Sequence, residues 1–122
     1  MKHLITIFLL LISLSAQAAP FDGWTDTEKA LLVTGELALL ADYKSTSSVL
    51  YPDQGYREMN PFLGQQPGQD RLTAWFVGWM IGNYFIANSL DHDTRVKYLL
   101  TLTIVETAAA GHNISIGAKI NF

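Results

Sequence analysis

The sequence predicts an all-α protein, a small bundle of three helices that follows an N-terminal signal peptide. Three observations lead to this prediction. The chain opens with a basic start and a short apolar run, three further apolar segments have the length of helices, and a segment rich in proline and glycine separates the first from the second. A chain of 122 residues has room for one domain. We expect a signal peptide over residues 1–18 and a single helical domain over residues 19–122.

The composition excludes several classes of protein. Charged residues make up 16% of the chain, against about 25% in an ordinary soluble domain. Eight Lys and Arg residues face eleven Asp and Glu residues, so we expect no nucleic-acid partner. The absence of cysteine excludes disulfides, thiolate zinc sites and cysteine nucleophiles. We expect no cofactor.

The first eighteen residues have the three parts of a secretory signal. A basic start at Lys2 precedes an uncharged run from Leu4 to Leu14, and Ala16 and Ala18 suit a cut after Ala18. The alternative, an uncleaved anchor, needs about twenty apolar residues. We therefore expect export to the cell envelope, in the inner membrane or the periplasm.

Local signals predict the bounds of the first helix. Thr25 or Asp26 can cap its N-terminus, and Glu28 lies at the capping-box spacing from Thr25. The helix is expected to reach about Tyr43 and to end in the segment 45–48, which contains three serines and a threonine. Residues 45–70 then form a long loop, because prolines and glycines recur throughout them.

The second helix is predicted from Gln69 or Asp70 to Leu90, and the third from Arg95 to about Ala110. Thr94 is the expected cap of the third helix, and Gly111 its expected stop. The tail over residues 114–122 alternates apolar and polar side chains, which predicts a short extended segment. This tail is the only feature that suggests the outer membrane, and a barrel needs many such strands.

The second helix predicts membrane association. No charged residue occurs from Leu72 to Leu90, so this segment could span a bilayer alone. The first and third helices carry Glu36 and Glu106, which oppose insertion as isolated helices. We therefore expect lipid contacts.

Gly78 and Gly82 form a Gly-x-x-x-Gly pair that would allow another helix to approach closely. Two partners remain open. One is a second copy of the chain, which would give a homo-oligomer. The other is the first or third helix of the same chain, and packing within the chain is the simpler expectation.

Several polar residues need a chemical explanation. Glu36 and Glu106 lie in mid-helix among apolar residues, where a lone charge is costly. With Asp42, Glu58 and His112 they could form a hydrolytic site, in which a carboxylate activates water and the histidine binds a metal or carries a proton. No pair has a known metal-ligand spacing, so no metal is assigned. The structural alternative is that Arg95 or Arg71 neutralises the two glutamates.

Three residues of the third helix share one face. Arg95, Glu106 and Asn113 follow one another at spacings of eleven and seven residues, which return to nearly the same helical angle. We expect the turn at Asn60-Pro61 to fold back and bring Glu58 or Asn60 towards these three residues. Asn60, Arg95 and Asn113 are therefore candidate binding residues.

The loop contains the most distinctive motif of the chain. Residues 56–67 carry the pattern Tyr-x-Glu-x-Asn-Pro-x-Leu-Gly-x-x-Pro, preceded by Glu36, Asp42 and Thr46 and followed by the three residues of the third helix. In this pattern the chain resembles a family of small, uncharacterised exported or membrane proteins of proteobacteria and their phages. The resemblance covers roughly residues 30–122. It implies an architecture and a set of polar residues, and no reaction.

Two functions follow from these observations. The first is a small exported, membrane-associated protein that acts through contacts with membrane or partners. The alternative is an interfacial hydrolase or metal-dependent enzyme that uses the helix and loop carboxylates. Convergence of these carboxylates in one concave pocket would favour the enzyme, and scattered or salt-bridged carboxylates would favour a structural role.

Overall fold

The computed structural model describes residues 20–51 and 55–120. Over these residues the chain forms three helices and no strand: α1 at Asp26–Leu50, α2 at Gln69–Ser89 and α3 at His92–Ser115. The predicted three-helix architecture is thus confirmed. The predicted signal peptide lies outside the described residues.

The N-terminus of α1 has the predicted capping box. The Thr25 hydroxyl accepts a hydrogen bond from the Glu28 amide at 3.2 Å, and a Glu28 carboxylate oxygen accepts one from the Thr25 amide at 2.6 Å. The predicted end of the helix is wrong, because α1 continues through the serines to Leu50. The hydroxyls of Ser45 and Ser48 donate to carbonyls one turn earlier, and Leu50 is buried in the core. Burial of the last turn outweighs the weak helix preference of serine.

The predicted bounds of α3 are also wrong at both ends. Asp91 is the N-cap, and its carboxylate accepts from the Thr94 amide at 3.1 Å. The helix passes Gly111 and ends where Gly117 adopts a positive φ of 107°, with the Ala118 amide donating to the Asn113 carbonyl at 2.9 Å. This is a Schellman arrangement, which satisfies the last carbonyls. The predicted extended tail therefore begins in a helix, and no strand forms up to residue 120.

The chain alternates direction, so α1 and α3 run parallel and α2 runs antiparallel to both. Three contacts between α1 and α3 join residues 67 positions apart: Glu28 with Arg95, Gly35 with Leu102, and Thr46 with Asn113. Because the offset is the same at all three contacts, the two helices run parallel, and the spacings of seven and eleven residues return to one face of each helix. α2 lies across this pair, with Asn83 bonded to Glu36 and Thr73 bonded to Tyr43.

Two apolar clusters form the core, one at each end of the bundle. The first contains Trp24, Leu32, Ala87 and Leu99, near the start of α1. The second lies near the loop and contains five buried side chains, those of Leu39, Leu50, Leu63, Leu72 and Phe76. Polar side chains from the three helices meet between these clusters. They come from the middle of each helix and include Glu36, Asn83 and Glu106.

Two expectations about α2 are overturned. None of the described helices is both long enough and apolar enough to cross a membrane. Asparagines, glycines and amphipathic aromatic residues interrupt the aliphatic residues of α2. Packing of Gly78 and Gly82 against α1 or α3 is also wrong, because no atom of residues 20–51 and 55–120 lies within 4 Å of a Cβ placed on either glycine. The close helix approach occurs instead at Gly35, where a Cβ would lie 2.9 Å from Leu102.

Candidate acid–base site

A cavity of about 520 Å³ lies between α1, α3, the first half of α2 and the loop. Its polar lining comes from all these elements except α2. These polar residues are Asp42, Thr46, Tyr56, Arg57, Glu58, Asn60, Glu106, His112 and Asn113. Six of the eight predicted catalytic or binding candidates line this cavity, and Glu36 and Arg95 do not. The six are Asp42, Glu58, Asn60, Glu106, His112 and Asn113.

Asp42 of α1 and Glu106 of α3 lie opposite one another across the helix pair, close enough for a hydrogen bond in which one carboxyl group carries the proton. Burial raises the pKa of Asp42, and the charge of Glu58 adds to this effect, while hydrogen bonds from Thr46 and Asn113 oppose it. Burial raises the pKa of Glu106 to about 7, with further contributions from Asp42 and from the charge of Glu36. Since a hydrogen bond between two carboxyl groups needs a proton, the pair offers one donor and one acceptor near neutral pH.

Asn113 orients this pair from the C-terminal end of α3. Its side-chain amide donates to the Asp42 carboxylate at 3.0 Å, to the Ser45 hydroxyl at 3.0 Å and to the Thr46 hydroxyl at 2.9 Å. The Thr46 hydroxyl in turn donates to the same Asp42 oxygen at 3.2 Å. The segment that the sequence analysis assigned to the end of the first helix therefore supplies the polar support of Asp42.

The loop folds towards Glu106 and Asn113 as predicted, whereas Arg95, the third residue of that predicted helix face, lies at the other end of α3. Hydrogen bonds within the loop keep it in place. The Glu58 carboxylate accepts from the Asn60 amide at 2.8 Å, and the Asn60 side chain accepts from the Phe62 amide at 3.0 Å. The Tyr56 hydroxyl donates to the Ile116 carbonyl just beyond α3. Glu58 and Asn60 consequently line the cavity beside Glu106 and Asn113.

Glu36 lies next to the cavity but does not line it. Its carboxylate accepts from the Asn83 side chain at 3.1 Å, and Asn83 accepts from the Tyr98 hydroxyl at 2.6 Å. Burial raises the pKa of Glu36 to about 7, although the hydrogen bond from Asn83 acts to lower it. Asn83 and Tyr98 were not predicted as partners of Glu36, although an asparagine amid apolar residues of the second helix was a usable signal.

Arg95 lies at the other end of α3, in a buried ion pair with Glu28 at 2.9 Å. It also donates to the carbonyls of Ala87 and Leu90 at 2.7 Å and 2.6 Å. Burial acts to raise the pKa of Glu28, but hydrogen bonds from Thr25, Arg95 and His92 lower it to about 2. Glu28 is therefore ionised, and the pair joins the starts of α1 and α3.

Neutralisation of Glu36 or Glu106 by Arg95 or Arg71 is accordingly wrong. Arg95 is about 16 Å along the helix from Glu106, and its donors are used by Glu28 and two carbonyls. Arg71 donates to the Phe62 carbonyl at 2.7 Å instead. Arg95 and Arg71 therefore do not reach the two glutamates, and the raised pKa values of Glu36 and Glu106 favour their protonated forms.

The described residues hold no group of three or more His, Asp or Glu side chains placed to bind a metal ion. His112 lines the cavity as an exposed side chain of the last turns of α3. The raised pKa values of Asp42 and Glu106 allow proton exchange between these carboxyl groups near neutral pH. No protein-family model, curated protein or solved structure matches this chain, so the family resemblance stays a prediction.

Proposed function

We propose that this protein is an interfacial hydrolase of the carboxyl acid–base type. The observation that carries the proposal is the pair formed by Asp42 and Glu106 in a cavity large enough for a small substrate. The carboxylates converge in one concave site, which is the arrangement that favours an enzyme over a purely structural role.

The pair can supply both proton transfers of ester or amide hydrolysis. The ionised carboxyl group accepts a proton from a water molecule as the water oxygen attacks the acyl carbon. The protonated carboxyl group donates its proton to the leaving alkoxide or amine as the acyl bond breaks. The products are a carboxylic acid and an alcohol or amine, and one proton passes along the hydrogen bond between the two groups to restore the starting state.

The test is hydrolysis of a series of p-nitrophenyl acyl esters and acyl anilides by the purified exported protein. Asp42→Asn and Glu106→Gln should each lower kcat/KM by about a hundredfold, because each variant removes one proton-transfer group. Asp93→Asn is the control, since Asp93 is an exposed acid of α3 outside the cavity lining. Full activity in both cavity variants, with folding verified by circular dichroism, would contradict the proposal.

A second candidate function is supported by the surface. All three helices expose large apolar side chains, among them Val33, Leu37, Phe85, Ile86, Leu100 and Ile104. Exposed apolar area of this kind favours contact with lipid or with a partner. A small exported protein could act through such contacts alone, with the cavity carboxyls serving only the fold.

Vesicle flotation tests this second function. Val33→Ser combined with Leu37→Ser should reduce the fraction that floats with phosphatidylcholine vesicles, because both side chains are more than half exposed. Lys29→Ser, one turn before Val33, is a matched surface control that should leave flotation unchanged. Equal flotation of all three proteins would contradict lipid contact through α1.

Export is part of both proposals. The mature protein should begin at Ala19, because Ala16 and Ala18 satisfy the cleavage rule. The intact mass of protein recovered from the cell envelope measures this directly. A full-length mass there would contradict cleavage.

A further inference from the structure

We infer that the cavity binds a neutral amphiphile, with an uncharged amide or ester head group at the Asp42–Glu106 pair and a single apolar chain along the cavity mouth. The inference rests on the proposed hydrolase and names its substrate class. Two observations support it independently: the apolar side chains at the mouth and the excess of acidic groups inside.

The mouth of the cavity is apolar and open to solvent. Met59, Trp79 and Val105 all line the cavity, yet they are 83%, 42% and 55% exposed. They come from the loop, α2 and α3, so three separate elements place an apolar side chain at one opening. An alkyl chain lying against these side chains would remove their apolar surface from water, which stabilises the complex in proportion to the area covered.

An aromatic wall continues this surface inward. Trp75 stacks on Phe62 with ring centroids 5.9 Å apart and meets Trp79 edge to face at 6.0 Å. Phe76 and Leu39 lie deeper in the same lining and belong to the buried core. The cavity is therefore apolar from its mouth to its inner wall on the α2 side and polar on the α1–α3 side.

The polar side favours an uncharged head group. Asp42 and Glu106 present one donor and one acceptor, which matches the carbonyl oxygen and the N–H group of an amide. The ionisable groups that line the cavity are three carboxylic acids, two basic side chains and one phenol: Asp42, Glu58, Glu106, Arg57, His112 and Tyr56. Even with one shared proton on the pair, acidic charge exceeds that of Arg57, so an anionic head group is repelled.

Three probes distinguish the contribution of the alkyl chain to binding from that of the head group: decanamide, decanoate and acetamide. Binding to the purified exported protein is measured by ligand-observed NMR at pH 7. Decanamide should bind at least tenfold more tightly than decanoate, which has the same chain length and a charged head group. Acetamide, which lacks the chain, should show no binding at the same concentration. Equal affinity for decanamide and decanoate, or binding of acetamide as tight as that of decanamide, would overturn the inference.

Neighbouring residues of α3 provide the matched variants. Val105→Ser should weaken decanamide binding about fivefold, because part of the apolar mouth is lost. Ile104→Ser should leave binding unchanged, because Ile104 is 68% exposed but does not line the cavity. Equal effects of the two substitutions would indicate adsorption to the outer surface and would overturn the inference.

The outcomes also separate this inference from the hydrolase. Decanamide binding without turnover of any acyl substrate would contradict the hydrolase and leave the amphiphile site standing. Hydrolysis of short water-soluble esters without decanamide binding would contradict the amphiphile site and leave the hydrolase standing.

Discussion

Glu28 and Arg95 form a buried ion pair, with 2.9 Å between the Glu28 carboxylate and an Arg95 guanidinium nitrogen. The pair joins the first turns of two parallel helices, and the guanidinium also lies 4.6 Å from the centre of the Trp24 ring. Arg95 further satisfies two carbonyls at the end of α2. One side chain thus holds the starts of α1 and α3 and the end of α2 together.

Removal of Arg95 should therefore destabilise the fold strongly. Arg95→Leu leaves the Glu28 charge buried without its main partner, and we expect the free energy of unfolding to fall by about 3 kcal/mol. Urea denaturation measures the change. Lys29→Ala, which removes the exposed pair of Lys29 with Asp26, is the control and should change stability by less than about 0.5 kcal/mol. A similar small effect of both substitutions would show that the Glu28–Arg95 pair does not stabilise the fold.

Glu36 should make stability depend on pH between about 4.5 and 7. Burial raises its pKa from 4.5 to about 7 in the folded state, so its contribution is complete below pH 4.5 and is lost as the pH rises through 7. Glu36→Gln should match the wild type in thermal unfolding at pH 5. At pH 8 the variant should be more stable by about 1 kcal/mol, a value reduced for the solvent screening of a half-buried group. An equal difference at both pH values would contradict a raised pKa.

The contact of Glu106 with Asp42 distinguishes two substitutions of Glu106. Glu106→Gln keeps a donor for the Asp42 carboxylate, so its free energy of unfolding at pH 7 should lie within about 1 kcal/mol of the wild type. Glu106→Leu leaves the half-buried Asp42 without that donor, so the free energy of unfolding should fall by about 1–3 kcal/mol. Thermal unfolding compares them. If Glu106→Leu is as stable as the wild type, the hydrogen bond between the two helices makes no contribution to folding.

The close approach of α1 and α3 at Gly35 should make that glycine sensitive to a methyl group. A Cβ there would lie 2.9 Å and 3.3 Å from two Leu102 atoms and 3.3 Å from the Thr103 hydroxyl, so Gly35→Ala should lower the free energy of unfolding by about 1 kcal/mol or more. Gly78→Ala meets no neighbouring atom and should raise it by about 0.5–1 kcal/mol through helix preference. Chemical denaturation decides, and a stabilising Gly35→Ala would contradict the tight packing of α1 against α3.

The open face of α2 leaves a second copy of the chain as the proposed partner of Gly78 and Gly82. Gly82→Leu should abolish crosslinked dimers, because the leucine side chain blocks close backbone approach. The unfolding temperature of the monomer should not fall, since no atom of the described chain lies near a Cβ at this position. Crosslinking in cells with wild type and variant side by side provides the measurement, and an unchanged dimer fraction would remove this interface.

Local signals in the sequence predicted the elements correctly and several of their ends wrongly. The Thr25–Glu28 capping box and the breakers of the loop act within a few residues, so the start of α1 and the position of α2 could be predicted. The end of α1 depended on burial of Leu50 among residues of the loop and α2. Burial among distant residues has no local pattern, and it outweighed the serines that predicted a stop.

The candidate site likewise combines features that the sequence predicted with features that depend on the tertiary structure. The residue types came from the sequence alone: acids in apolar helices are costly and must be satisfied, and the Asn60-Pro61 turn returns the loop towards the bundle. The partners came only from the tertiary structure, because the parallel alignment of α1 with α3 joins residues 67 positions apart. In that alignment Arg95 pairs with Glu28 rather than with Glu106, and Glu106 pairs with Asp42. Side-chain pairing across helices depends on which faces meet and at which height, and helical spacing within one segment fixes neither.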